Sequence, residues 1–222
     1  MLIIYTTCYM AAFIFLIMTC YQSFFGKFHV IAKVICSAGF IGAAVLGKMQ
    51  SSNDALFWRL LPGFIFCFLG DFFLAKKERK ESKQDFLLGL GSFLAGHILF
   101  LRGLSFLQPW SAETVLVPFV GVIVAFFLMK RKNMEAGEFK IPIMVYSYFV
   151  TALFVKCAQI ALKGPGSLFF ILLFLGGLFF LISDIIILFL YFYKKKYGIM
   201  KFLNLFTYYT ATYILGIAIL FY

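Results

Sequence analysis

The sequence predicts an all-α, polytopic integral membrane protein, a helical bundle of about eight transmembrane helices. Three observations carry this. The 222 residues are 64% hydrophobic and 13% charged, with mean hydropathy +1.00, whereas a soluble domain is about 45–50% apolar and about 25% charged. Apolar runs of roughly 18–22 residues recur along the whole length, enough to cross a hydrocarbon core of about 30 Å. The basic residues collect between those runs. Nothing is left over for a soluble domain, so residues 1–222 read as a single transmembrane domain.

The spans are expected at 2–21, 30–47, 56–75, 86–104, 113–129, 141–162, 167–192 and 202–221. The first lacks a basic n-region and a small-residue cleavage site, so it reads as a span and not a cleaved signal. Pro109, Gly137 and the "KGPG" of residues 163–166 fall between spans. Pro62 and Pro142 are placed in first turns, where a missing N–H costs little. No span is expected to carry the Gly/Pro interruption of a discontinuous helix. The five cysteines, Cys8, Cys20, Cys36, Cys67 and Cys157, all lie within spans and suit small buried apolar positions better than a disulfide framework.

Basic residues give the orientation. Loops after the odd-numbered spans hold 14 of the 20 Lys and Arg residues, among them Lys76, Lys77, Arg79 and Lys80, while the other side holds 4. By the positive-inside rule those richer loops are cytoplasmic and both termini non-cytoplasmic. The net charge of +11 is then an orientation signal with anionic lipid headgroups as counterions, and no nucleic-acid partner is needed. The absence of an N-x-S/T sequon fits a bacterial plasma (inner) membrane.

Ionisable residues within spans are few, and those that matter are Lys33, Asp71, His97, Lys156 and Asp184. Such residues are costly in lipid and mark functional or paired positions. At about 1.5 Å per residue from the nearest cytoplasmic charge, Asp71 lies roughly 8 Å deep and Asp184 roughly 15 Å. Tyr146 and Tyr208 fall at roughly 9 and 10 Å by the same measure, with His97 near mid-membrane. Only Lys156 belongs to the outer half. The remainder are expected to share one site in the cytoplasmic half. Gly63, Cys67 and Gly70 accompany Asp71, Gly89, Ser92 and Gly96 accompany His97, and Gly176, Gly177 and Ser183 accompany Asp184. Small residues permit close helix approach, so these faces are expected to point into the bundle. The plainer readings are a structural polar staple, a snorkelling Lys33 and a satisfied core His97.

An internal repeat is suggested. "GDFFL" (70–74) and "SDIII" (183–187) put an acid at the same point of the third and seventh spans, 113 residues apart. The same offset takes Lys33 to Tyr146, and a 4+4 organisation would bring both acids towards the centre.

"LGDFFL" (69–74), "FLLGLGSFLAGHILF" (86–100), "GGLFFLISDIII" (176–187) and "YYTATYIL" (208–215) together resemble the YhhN family of membrane proteins. Family members include lysoplasmalogenases, which hydrolyse the vinyl ether bond of a lysoplasmalogen to a fatty aldehyde and a glycerophospho-headgroup. The resemblance implies roles for Gly70, Asp71, Gly89, Phe93, Gly96, His97, Phe180, Ser183, Asp184, Tyr208 and Tyr209, with Lys33 and Tyr146 at the matching second- and sixth-span positions. One departure is Thr212, where the family pattern tends to carry glutamine.

Vinyl ether hydrolysis suits two carboxyls. One protonates the alkene carbon, and the other, as carboxylate, stabilises the resulting oxocarbenium ion or activates water, as in glycosidases. Burial and mutual repulsion separate the proton affinities of two neighbouring acids. Asp184, deeper in the apolar phase, is expected to give the proton and Asp71 to stay ionised, though the reverse assignment also satisfies the chemistry. His97 would relay protons or orient an acid. Lys33 would hold the lysophospholipid phosphate. Tyr146, Ser183, Tyr208, Tyr209 and Thr212 would line the substrate. Neither a metal nor another cofactor is required, and membrane lipids are the surrounding partners. The rival is a proton-coupled small-molecule or lipid transporter using the same acids, and a third reading is a structural scaffold.

Overall fold

The computed structural model is all-helical. It describes residues 1–222 other than Ser52, Glu81, Pro165 and Lys196, and their side chains other than those of Lys77, Arg79 and Lys80. The helices are α1 (Leu2–Tyr21), α2 (His29–Gln50), α3 (Ala55–Lys80), α4 (Lys83–Leu104), α5 (Ala112–Leu116), α6 (Pro118–Met129), α7 (Lys140–Ala161), α8 (Leu168–Phe192) and α9 (Gly198–Ala218). With α5 and α6 taken as one span, eight segments are long and apolar enough to cross a membrane. Their outer faces are apolar too. Ile3, Ile4 and Ile14 on α1 and Val120, Ile123 and Phe127 on α6 are exposed, which suits lipid as the solvent.

The fifth span holds as Ala112–Met129. Val117 keeps helical dihedrals (φ −60°, ψ −34°) and still donates to the Glu113 carbonyl, so α5 leads directly into α6, and Pro118, with no N–H to give, removes one bond from the ladder at the first residue of α6. Three other sequence expectations need correction. Pro62 lies in the interior of α3 and not in its first turn. The third span agrees to within a residue, Ala55–Lys76, but its helix continues to Lys80, because helical hydrogen bonding does not stop where the lysines begin. Among the cysteines, Cys36, Cys67 and Cys157 are buried, but Cys20 is half-buried and Cys8 is exposed.

The chain divides into two compact units, Met1–Phe100 with Gly216–Tyr222, and Leu101–Leu215. In the first, α2 presents small residues to its neighbours. Tyr5 of α1 donates to the carbonyl of Gly39 at 2.6 Å, and a Cβ on Gly216 would lie 3.0 Å from the Ala44 nitrogen and the Phe40 carbonyl. Such contact lets van der Waals packing hold helices where no water is expelled. Phe64 joins Phe40 (6.0 Å between ring centroids) to Phe100 (4.9 Å, edge-on) at the centre of this unit.

In the second unit, α7 packs between α6 and α8. Gly121 meets Thr151 on one side and Gly177 meets Cys157 on the other. A core of Ala125, Met129, Met134, Ala136, Ile143 and Leu188 closes one end, where the Glu135 N–H donates to the Phe192 carbonyl at 2.8 Å. The turns leading into α7 and α8 contain Gly137 at φ +49° and Gly166 at φ +93°, left-handed conformations that favour glycine.

Candidate functional site

In the first unit, His29, Lys33 and Ser37 recur every four residues on α2 and therefore share a face. Asp71 and Glu78 lie two turns apart on α3 and meet that face. The Ser37 hydroxyl is 2.6 Å from Asp71 Oδ2 and 2.9 Å from the Lys33 carbonyl. It has one proton, and the shorter contact to the acid is the stronger acceptor. Asp71 is only 2% exposed.

Glu78 bridges Lys33 and His29 of α2. Its carboxylate lies 3.4 Å from Lys33 Nζ and 3.2 Å from His29 Nε2. His29 Nδ1 in turn sits 2.9 Å from Thr19 Oγ1 of α1. Lys33 is buried, and a buried ammonium requires a partner of this kind. The residues joined in this unit are thus Thr19, His29, Glu78 and Lys33 in one chain, and Ser37 with Asp71 beside it.

His97 is fully buried on α4, with Nδ1 2.7 Å from the Phe93 carbonyl one turn earlier. A carbonyl can only accept, so this bond assigns the proton to Nδ1 and makes Nε2 the basic atom of the neutral ring. The approach of α4 to α3 is set by glycines. A Cβ on Gly70 would fall 2.7–2.9 Å from the Phe93 ring, and one on Gly96 would fall 3.1 Å from Cys67 Sγ.

In the second unit the acid is Asp184 of α8, 8% exposed. Tyr146 of α7 donates its hydroxyl to Asp184 Oδ1 at 3.0 Å. Ser183 faces another helix: Asn204 Nδ2 of α9 lies 3.0 Å from both the Ser183 carbonyl and its hydroxyl. Tyr208 packs edge-on to Phe180 at 5.7 Å and to Tyr209 at 4.9 Å. Thr212 is fully buried, and its hydroxyl donates to the carbonyls of Tyr208 (3.1 Å) and Tyr209 (3.3 Å) on its own helix.

Each half therefore holds a buried acid on its third span that accepts a hydroxyl from its second. The equivalence is shifted from the simple offset: Tyr146 corresponds by number to Lys33, but the donor to Asp71 is Ser37, one turn further along the same face. Four polar residues at these positions were not among the sequence candidates: His29, Ser37, Glu78 and Asn204. Spacing could have found three of them, since His29, Lys33 and Ser37 are four apart and Glu78 is seven beyond Asp71.

Eight apolar spans carrying buried, hydroxyl-bound acids define a polytopic helical membrane protein with polar chemistry inside its spans. The chain belongs to the YhhN family, whose model matches residues 28–219. No curated protein and no solved structure matches it.

Proposed function

We propose that this protein is an intramembrane lipid hydrolase of the lysoplasmalogenase type, cleaving the vinyl ether bond of a lysoplasmalogen. The observation that carries the reading is the pair of buried acids bound to hydroxyls, Asp71 to Ser37 and Asp184 to Tyr146, in a family that includes lysoplasmalogenase-like membrane proteins. A hydroxyl both donates and accepts, so it can stay bonded while its carboxyl gains or loses a proton. Acid catalysis of this bond needs that exchange.

The reaction begins with proton transfer from a carboxylic acid, here assigned to Asp184, to the alkene carbon. The resulting oxocarbenium ion is stabilised by a carboxylate, here assigned to Asp71, and water adds to give a hemiacetal. Collapse of the hemiacetal releases a fatty aldehyde and the glycerophospho-headgroup, and the proton lost by water restores the acid. His97, with Nε2 as its basic atom, is assigned to proton relay. Lys33 and His29 are the donors assigned to the lipid phosphate, with Glu78 as its competitor. The basic loops face the cytoplasm in this reading, which sets the acids at the depth of the sn-1 linkage.

The same buried acids, Asp71 and Asp184, also suit one alternative, a proton-coupled carrier, since intramembrane acids carry protons in many carriers. Sealed vesicles containing the protein separate the two. The hydrolase reading expects lysoplasmalogen to be consumed and aldehyde to appear. Flux of the lipid across the vesicle with its vinyl ether intact would support the carrier instead.

A further inference from the structure

The C-terminal end of α7 carries a second polar cluster, about 20 Å along the helix from Tyr146. Lys156 is fully buried there. Its Nζ donates to the carbonyls of Gln108 (3.1 Å) and Pro109 (3.0 Å) and lies 5.2 Å from the Trp110 ring centroid. The ammonium is thereby turned inward and fixes the segment between α4 and α5. One turn on, Gln159 Nε2 donates to Ser111 Oγ at 2.9 Å and lies 3.4 Å from Glu113 Oε2, while its Oε1 accepts from Thr114 at 2.7 Å.

This clamped segment walls a groove of about 420 Å³. Its polar side is Gln108, Glu113 and Gln159, and its apolar side runs along α7. Its accessible acceptor is Glu113, an exposed carboxylate, while Gln108 Oε1 is buried in the wall and accepts no hydrogen bond among the described residues. Across Ala158 and Leu162 the groove adjoins an apolar cleft of about 320 Å³ between α7 and α8, floored by Phe170 and Phe174. Lys163, exposed, follows Leu162 at the rim.

We propose that this end of the second unit binds a membrane phospholipid with a primary ammonium headgroup, such as phosphatidylethanolamine. The ammonium has N–H donors as well as a positive charge for the exposed Glu113 carboxylate, a match that a quaternary ammonium cannot make. The phosphate is drawn to Lys163, and the buried charge of Lys156 beneath opposes a free cation more than a zwitterion. An acyl chain follows the ridge of Ala158 and Leu162 into the apolar cleft. The site is separate from the acid of the same unit, and it stands or falls independently of the hydrolase reading.

The sequence has two tryptophans, so Trp58→Phe leaves Trp110 as the sole reporter beside the groove. Its fluorescence is measured in bilayer nanodiscs containing equal fractions of phosphatidylethanolamine, phosphatidylcholine or phosphatidylglycerol, each brominated on the upper acyl chain. The expected result is preferential quenching by the ethanolamine lipid, with an apparent affinity ratio over the choline lipid of about tenfold or more, the scale of one charge-assisted hydrogen bond. Glu113→Gln should bring that ratio towards one, with thermal unfolding unchanged because Glu113 is exposed. Equal quenching by the three lipids, a preference for the anionic one, or a preference that survives the substitution would overturn the proposal.

Discussion

Tyr146 donates its hydroxyl to Asp184 across 3.0 Å, joining the second and third spans of the C-terminal half. Both groups are buried, so this bond fixes where the carboxyl points. Replacing Tyr146 with Phe keeps the ring and removes the bond. A neutral hydrogen bond contributes about 0.5–1.5 kcal/mol, and one to a charged group about 1.5–3. Aldehyde release should therefore fall by roughly tenfold in Tyr146→Phe, with the protein still folded in detergent. Rates of Tyr146→Phe, Asp184→Asn and the double variant should be non-additive, because the phenol acts through the acid.

The corresponding bond of the N-terminal half is shorter, 2.6 Å from Ser37 to Asp71, and its donor is fully buried. Ser37→Ala takes that donor from a buried acid, a change that costs about 1–3 kcal/mol. The apparent melting temperature of the purified protein should drop, and Ser37→Thr, which restores a hydroxyl, should recover part of the loss. Equal melting of Ser37→Ala and the wild type would show that the bond contributes nothing to stability.

Glu78 holds both Lys33 and His29. If those side chains receive the lipid phosphate, Glu78 competes with the substrate, and Glu78→Gln should lower KM several-fold with kcat nearly unchanged. Lys33→Ala should do the opposite to KM. A purely structural ion pair would show loss of thermal stability in both variants and no movement of KM.

Gly70 admits the Phe93 ring where a Cβ would stand 2.7–2.9 Å from three of its carbons. The ring is buried, so Gly70→Ala forces either the ring or α4 to shift, a cost of about 1–3 kcal/mol for overpacking. In a Phe93→Leu background the same substitution should cost clearly less, as read from the melting temperatures of the four proteins.

The spans were legible because only helices and closed barrels satisfy the backbone in lipid, and apolar runs of roughly 18–22 residues fit a helix and not a barrel strand of about 9–11. Asp71 and Asp184 stood out because such residues are costly in lipid. Helix ends were less legible, since hydropathy reports the solvent and not the hydrogen-bond ladder. Hence α3 runs to Lys80 and carries Glu78, which hydropathy assigns to a loop. Pro118 escaped notice because proline barely lowers the hydropathy of the run around it. Ser37 and Asn204 are common residue types in apolar helices, and their importance depends on what they face across the helix interface. For Ser37 that is Asp71, and for Asn204 it is Ser183.

The central claim is acid-catalysed cleavage of a vinyl ether by intramembrane aspartates, and aldehyde release tests it most directly. Purified protein is given a lysoplasmalogen and, separately, an ester-linked lysophospholipid of equal chain length, with Asp71→Asn and Asp184→Asn alongside. The account predicts aldehyde from the vinyl ether lipid alone, reduced at least a thousandfold in each variant, or about 4 kcal/mol of transition-state stabilisation. Folded wild-type protein that releases no aldehyde, or an Asp184→Asn variant that releases it at the wild-type rate, would contradict it.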